Sequence, residues 1–78
     1  MTVNEARYIF KKNNPDREIV SIWDYKGDYM IVAPDKKLGE FDDNDPFFIV
    51  SSKNGAISLF SPVMDFDWVR DKNKKQYF

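Results

Sequence analysis

The stretch from Asp45 to Pro62, D-P-F-F-I-V-S-S-K-N-G-A-I-S-L-F-S-P, constrains this chain more than any other. Two apolar, β-favouring runs, Phe47 to Val50 and Ala56 to Phe60, flank Asn54-Gly55. A type I′ turn needs a positive φ at both central residues, which Asn and Gly tolerate, so the pattern predicts a tight hairpin at the centre of a small antiparallel sheet.

The segments before it supply a helix and a second hairpin. Thr2-Val3-Asn4-Glu5 matches a capping box, in which the Thr hydroxyl and the Glu carboxylate satisfy each other's backbone N–H groups. Val3, Ala6 and Phe10 follow at helical spacing, with Ile9 or Tyr8 widening the stripe, and Lys11 and Lys12 suit the negative end of the helix dipole. Asn13-Asn14-Pro15 ends the pattern, because Asn tolerates a left-handed cap and Pro15 disfavours helical geometry at Asn14, so a helix is predicted over residues 3 to 13. Arg17 to Tyr25 and Asp28 to Ala33 are β-branched and aromatic runs joined by Lys26-Gly27, where Gly27 can adopt a positive φ. In the second run Tyr29, Ile31 and Ala33 share one face and Met30 and Val32 the other. Both faces are apolar, which fits an inner strand covered on both sides or one whose second face is partly wet.

Pro34 to Asp45 is a charged, irregular connection with Leu38 and Phe41 as isolated apolar anchors. After the central hairpin, Ser61-Pro62 reads as an N-cap and first-turn proline, and Val63, Phe66 and Val69 are spaced to face inward with Trp68 beside them, predicting a helix from Pro62 to about Arg70. Asn73 to Phe78 reads as a frayed tail, in which Tyr77 and Phe78 are apolar enough to fold back. The expected architecture is therefore α+β over residues 1–78 as one domain: an N-terminal helix, a four-stranded antiparallel sheet of two hairpins, and a short C-terminal helix.

Seventy-eight residues provide interior for a single core. There is no Cys, so packing alone must stabilise it, and seven Phe, four Tyr and two Trp supply the bulk. Trp23, Tyr25, Tyr29, Phe47, Phe48 and Phe60 exceed what one face of a small sheet hides. They either fill a second face beneath Trp68 and the C-terminal segment or form an exposed patch for a partner or a second copy.

The same composition excludes several chemistries. Without His or Cys there is no Ser-His or Cys-His arrangement and no thiolate or imidazole metal site. The three glycines, at 27, 39 and 55, build no phosphate cradle. An enzyme would be confined to carboxylates, Lys and Tyr, so the expectation is a protein that is not an enzyme and carries no cofactor. A net charge of −1 and a pI near 5.3 argue against nucleic acid as the partner, and the basic run Arg70, Lys72, Lys74 and Lys75, broken by Asp71, reads as a solvated tail. No apolar run reaches the ~20 residues of a membrane span, and the first residues lack a signal-peptide pattern, which places the expected site of action in the cytoplasm of a cell. Glu40, Asp42, Asp43 and Asp45 form the strongest charge cluster; their spacing departs from an EF-hand loop, so they read as a solvated loop or a docking patch for a basic partner.

The order of helix, Tyr-rich hairpin and Asp-Pro-aromatic-aromatic hairpin resembles small proteins without assigned activity from Gram-positive bacteria and their phages, in which a similar hairpin precedes Ser-Pro and a short helix. Asp45, Pro46, Phe47, Phe48, Val50, Gly55 and Ile57 carry the likeness, which spans most of residues 3 to 69. The hairpin is also similar to PepSY-like domains and to small toxin-immunity proteins. The resemblance implies an interaction module, with a phage accessory or virion-associated role or, alternatively, neutralisation of a toxin; a small metal-binding or carboxylate-based protein is the third alternative. Glu40, Phe41, Asp42, Asp43 and Asp45, with Trp23 and Tyr25, are the expected partner-binding residues, and the partner is another protein or a second copy.

Overall fold

In a computed structural model, which describes residues 1–34, 47–61, 63 and 65–78, the chain opens with helix α1 at Val3–Asn13. The capping box forms as predicted: Thr2 Oγ1 accepts from the Glu5 N–H at 3.2 Å, and Glu5 Oε1 accepts from the Thr2 N–H at 3.0 Å. These bonds satisfy two N–H groups that the first turn leaves without helical partners. The other end differs from expectation. Asn14 takes φ −137°, outside the left-handed region, and its backbone N–H donates to the Phe10 carbonyl at 2.8 Å. Ala6 and Phe10 are fully buried and Val3 and Ile9 partly so, whereas Tyr8 is 66% exposed and lies off the stripe.

Four strands follow, β1 at Ser21–Tyr25, β2 at Asp28–Val32, β3 at Phe47–Val50 and β4 at Ile57–Leu59, hydrogen-bonded antiparallel in the order β1-β2-β3-β4. The register pairs Ile22 with Ile31 and Ile31 with Phe48, and alternation along the strands sends Ile22, Tyr29, Ile31, Phe48 and Val50 toward α1. Phe10 meets Phe48 with ring centroids 5.1 Å apart, and fully burying such a ring contributes about 1.5–3 kcal/mol. The other phase, Trp23, Met30 and Ile49, lines up across the opposite face. Tyr29, Met30 and Ile31 are all buried, so β2 is an inner strand apolar on both sides. β1 is shorter than the predicted strand, and Arg17, before it, donates from its guanidinium to the Ala33 carbonyl at 2.9 Å and lies over the Phe48 ring at 4.9 Å.

The first hairpin turn forms as the sequence suggests, and the second does not. The tight two-residue turn is Lys26-Gly27, between the paired residues Tyr25 and Asp28, with φ of 52° and 92°. Positive φ at both positions is the type I′ signature. Asn54-Gly55 instead closes a longer loop: Ser51 N–H donates to the Ala56 carbonyl at 2.9 Å, and Gly55 N–H donates to the Ser51 carbonyl at 2.8 Å. Only Gly55 takes a positive φ there, while the Asn54 carboxamide accepts from the Ala56 N–H at 2.9 Å. The Asn thus acts through its side chain, as an Asx turn, rather than through a left-handed backbone.

The second helix is also shorter than predicted. α2 spans Phe66–Arg70, capped by Asp65 rather than Ser61, and Val63 and Phe66 are 69% and 51% exposed rather than inward. Residues 71–78 are not frayed. They return along the outer edge of β1, where the Ile22 N–H donates to the Phe78 carbonyl at 3.1 Å, the Tyr77 N–H donates to the Ile22 carbonyl at 2.7 Å, and the Asp24 N–H donates to the Lys75 carbonyl at 2.8 Å. Tyr77 packs on Tyr29 and Phe78 lies under the Arg7 guanidinium. Among the described residues, no helix is long and apolar enough to cross a membrane.

The two positive-φ glycines separate backbone strain from packing. A Cβ at Gly27 would meet nothing within 4 Å, whereas at Gly55 it would lie 3.0 Å from Ile9 Cδ1. Alanine at either position forces the left-handed region, on the order of 1 kcal/mol. Urea unfolding should therefore show Gly55→Ala less stable than Gly27→Ala; equal losses would refute the contribution of the Ile9 contact.

Candidate functional site

The sheet face opposite α1 holds a feature with the shape of a site. Trp23 of β1, Met30 and Val32 of β2 and Phe47 of β3 form its floor; Phe60, just after β4, closes one side, and Trp68 and Val69 of α2 with Lys74 form the other. Together they enclose an apolar cleft of about 180 Å³ that opens to solvent. An engineered cavity of about 150 Å³ is enough to hold benzene. The cleft is therefore the size of one large side chain, and too small for a nucleotide or a drug-sized cofactor, which need roughly 300 Å³ or more.

Its walls are held by polar contacts at their rims. The Trp23 indole N–H donates to Ser21 Oγ at 3.1 Å, and the Trp68 indole N–H donates to the Asp24 carbonyl at 3.1 Å. Both indole N–H groups are thereby satisfied within the chain. Trp68 is further locked by edge-to-face packing on Tyr25 and Phe60, with centroids 5.2 Å and 5.9 Å away. A five-residue helix has little stability of its own, so this packing and its cap decide where α2 sits.

The cap is Asp65, which gathers three donors. Its Oδ1 accepts from the Trp68 N–H at 3.1 Å, and its Oδ2 accepts from the Tyr25 hydroxyl at 3.0 Å and lies 2.8 Å from Lys26 Nζ. The Lys26 hydrogen bond, followed by the Trp68 backbone N–H, holds the Asp65 carboxyl below its ordinary value near 3.8. Conversely, the hydrogen bond to Asp65 pushes the Lys26 ammonium up, and burial, reinforced by Asp65, pushes the Tyr25 hydroxyl up. Lys26 sits at the type I′ turn, so the turn between β1 and β2 is what delivers the cation to the helix cap.

Of the predicted partner-binding residues, Trp23 lines the cleft. Tyr25, two residues on and on the same face, is not part of an exposed patch: it lies between Phe60 and Trp68, under Lys26, with its hydroxyl on Asp65. The reading in which the C-terminal segment covers the second face thus holds for Tyr25, and Trp23 stands at the border of what is covered. Glu40, Phe41, Asp42, Asp43 and Asp45 lie outside the described residues. The paired residues Val32 and Phe47, near the two ends of the segment that carries them, both line the cleft. Sequence reasoning missed Lys74, which is half-buried with its Nζ 5.3 Å from the Trp23 ring and 5.3 Å from the Trp68 ring. Its signal was spacing: it is the one lysine of the basic run placed so that a return to β1 carries it past both indoles. No group of three or more Asp or Glu among the described residues is arranged to hold a metal ion.

Comparison of the chain with protein-family models, with curated proteins and with solved structures returns no match.

Asp65 links the site to pH. Its folded value is depressed, so the stability it contributes is present above about pH 4, the unfolded carboxylate range, and is lost as pH falls through the folded value. Asp65→Asn retains an effective N-cap but not the ion pair with Lys26. The drop in urea midpoint between pH 6 and pH 3 should be smaller in Asp65→Asn than in the native chain; identical drops would show that Asp65 is not the group responsible.

Proposed function

We propose that this protein is a non-enzymatic binding module, which takes one side chain of a protein partner into the cleft between Trp23, Phe47 and Trp68. The observation that carries the reading is an open apolar cleft the size of one side chain, walled by two indoles whose N–H groups are already satisfied. Buried aromatic pockets of this kind supply the anchor points of protein interfaces, where a few desolvated contacts carry most of the affinity. The lining also supports a binding rather than a catalytic role. Among the described lining residues the one ionisable side chain is Lys74, whose Nζ donates to the Val69 and Asp71 carbonyls, so no acid and base among them face each other across the cleft.

The acidic residues Asp42 and Asp43, with Glu40 and Asp45, supply the electrostatic part of the same reading. Their charge would speed encounter with a basic surface and select for it, while the cleft sets the residence time. The partner is then a protein that presents one anchoring side chain amid basic residues.

Selection of displayed random peptides against the immobilised chain tests this directly. Recovered peptides should share one anchoring residue whose replacement by Ala abolishes binding, and they should shift the indole N–H resonances of Trp23 and Trp68. Val69→Lys, a half-buried position on α2 rather than in the sheet, should weaken them at least tenfold, about 1.4 kcal/mol. Asp42→Lys with Asp43→Lys should slow association and remove its salt dependence. Peptides that bind Val69→Lys as well as the native chain, or that leave both indoles unmoved, would overturn the reading.

A further inference from the structure

Among the described residues, five other cation–π contacts, Arg7 on Phe78, Arg17 on Phe48, Lys26 on Tyr25, Arg70 on Phe66 and Lys75 on Tyr77, each place a cation over a single ring. Lys74 differs from all of them, because its ammonium lies within 5.3 Å of two indole faces. Two carbonyls complete the surroundings: Nζ donates to Val69 O at 2.8 Å and to Asp71 O at 3.2 Å. Indole faces and carbonyl oxygens all present negative potential, and a cation within about 6 Å of a Trp ring centroid is attracted to it. The rings are also held in place independently of Lys74 by their hydrogen bonds to Ser21 and Asp24. In this structure the chain's own Lys74 ammonium occupies these surroundings.

The segment that brings Lys74 there is exposed, with Tyr77 packed on Tyr29 and Phe78 under the Arg7 guanidinium. Lys75, Gln76, Tyr77 and Phe78 are all exposed and are joined to β1 through a short run of edge hydrogen bonds and the Trp23–Gln76 bridge. Segments with few buried contacts are the ones that open locally at low free-energy cost. When this segment lifts, the outer edge of β1 and the two-indole site are freed together. An extended strand from another protein can pair with such an edge, main-chain bonds giving affinity and side-chain pockets giving specificity.

We propose that the two-indole site with the Val69 and Asp71 carbonyls is a lysine-recognition site, and that an extended, lysine-bearing segment of a protein partner takes the place of Lys74 and the residues after it. The partner's lysine lays its aliphatic stem along Met30, Val32 and Phe47 and its ammonium between Trp23 and Trp68. This rests on the binding-module reading and names the anchoring side chain. Lys74 then acts as a tethered competitor: its short connection gives it an effective concentration of about millimolar order, which a partner must exceed.

The test uses the full chain and n-butylammonium chloride as probe, with 1-butanol as the neutral isostere, followed through the two indole N–H resonances. Lys74→Ala should bind n-butylammonium saturably and at least tenfold more tightly than the native chain, and should prefer it to 1-butanol. Equal binding of the two probes, or binding of neither, would overturn the ammonium site. In the native chain, added n-butylammonium should move the ring-current-shifted Lys74 ε-methylene protons toward their free positions. This readout needs no substitution, and unmoved protons at saturating probe would also overturn the proposal. Apolar peptide anchors that still bind while n-butylammonium does not would sink the lysine assignment and leave the binding module standing.

Discussion

Everything in this structure follows from β2 being apolar on both faces. Tyr29 and Ile31 point to α1 while Met30 and Val32 point away from it, so a single covering layer cannot bury the strand. A lone helix of eleven residues covers the first face well, with Ala6 and Phe10 fully buried against it. Among the described residues, the second face is met by a five-residue helix and the segment returning to β1. These elements cover Tyr25 and the Phe60 ring and border the cleft lined by Trp23, Val32 and Phe47, with Met30 buried at its floor.

A short helix laid over a sheet needs to be told where to sit, and here one carboxylate does it. Asp65 fixes the α2 N-terminus, accepts the Tyr25 hydroxyl from β1 and meets Lys26 at the turn between β1 and β2. Trp68 is thereby held at the wall of the cleft. The same arrangement brings three elements distant in sequence to one point, which ties the geometry of the cleft to the integrity of the first hairpin.

The edges of the sheet are treated unequally. The outer edge of β1 is occupied by residues 75–78, which pair with Ile22 and Asp24, while β4 is only three residues long and carries Leu59 at 70% exposure. A very short edge strand limits uncontrolled pairing with other chains. An edge occupied by a replaceable segment of the same chain is different in kind, because it is both protected and available.

The elements that were legible in the sequence are those set by interactions within a few residues. Thr2 and Glu5 form their capping box, α1 keeps its predicted limits, and the strands appear where β-branched and aromatic residues cluster. Local chemistry misled where two local solutions compete. Asn54-Gly55 had the composition of a type I′ turn, yet the Asn side chain bonds the Ala56 N–H and keeps its own backbone out of the left-handed region, while Lys26 accepts that region to close the first hairpin. The inward stripe read from Val63 and Phe66 failed because Asp65, not Ser61, caps α2, and Trp68 is the side chain that reaches the sheet. Sequence alone therefore determined the fold class, the first helix and the presence of a second apolar face, since each depends on propensity and periodicity along the chain. Tertiary structure alone decided that Trp23, Trp68 and Lys74 meet, because that depends on where a short helix and a returning segment come to rest on a sheet that local interactions do not position.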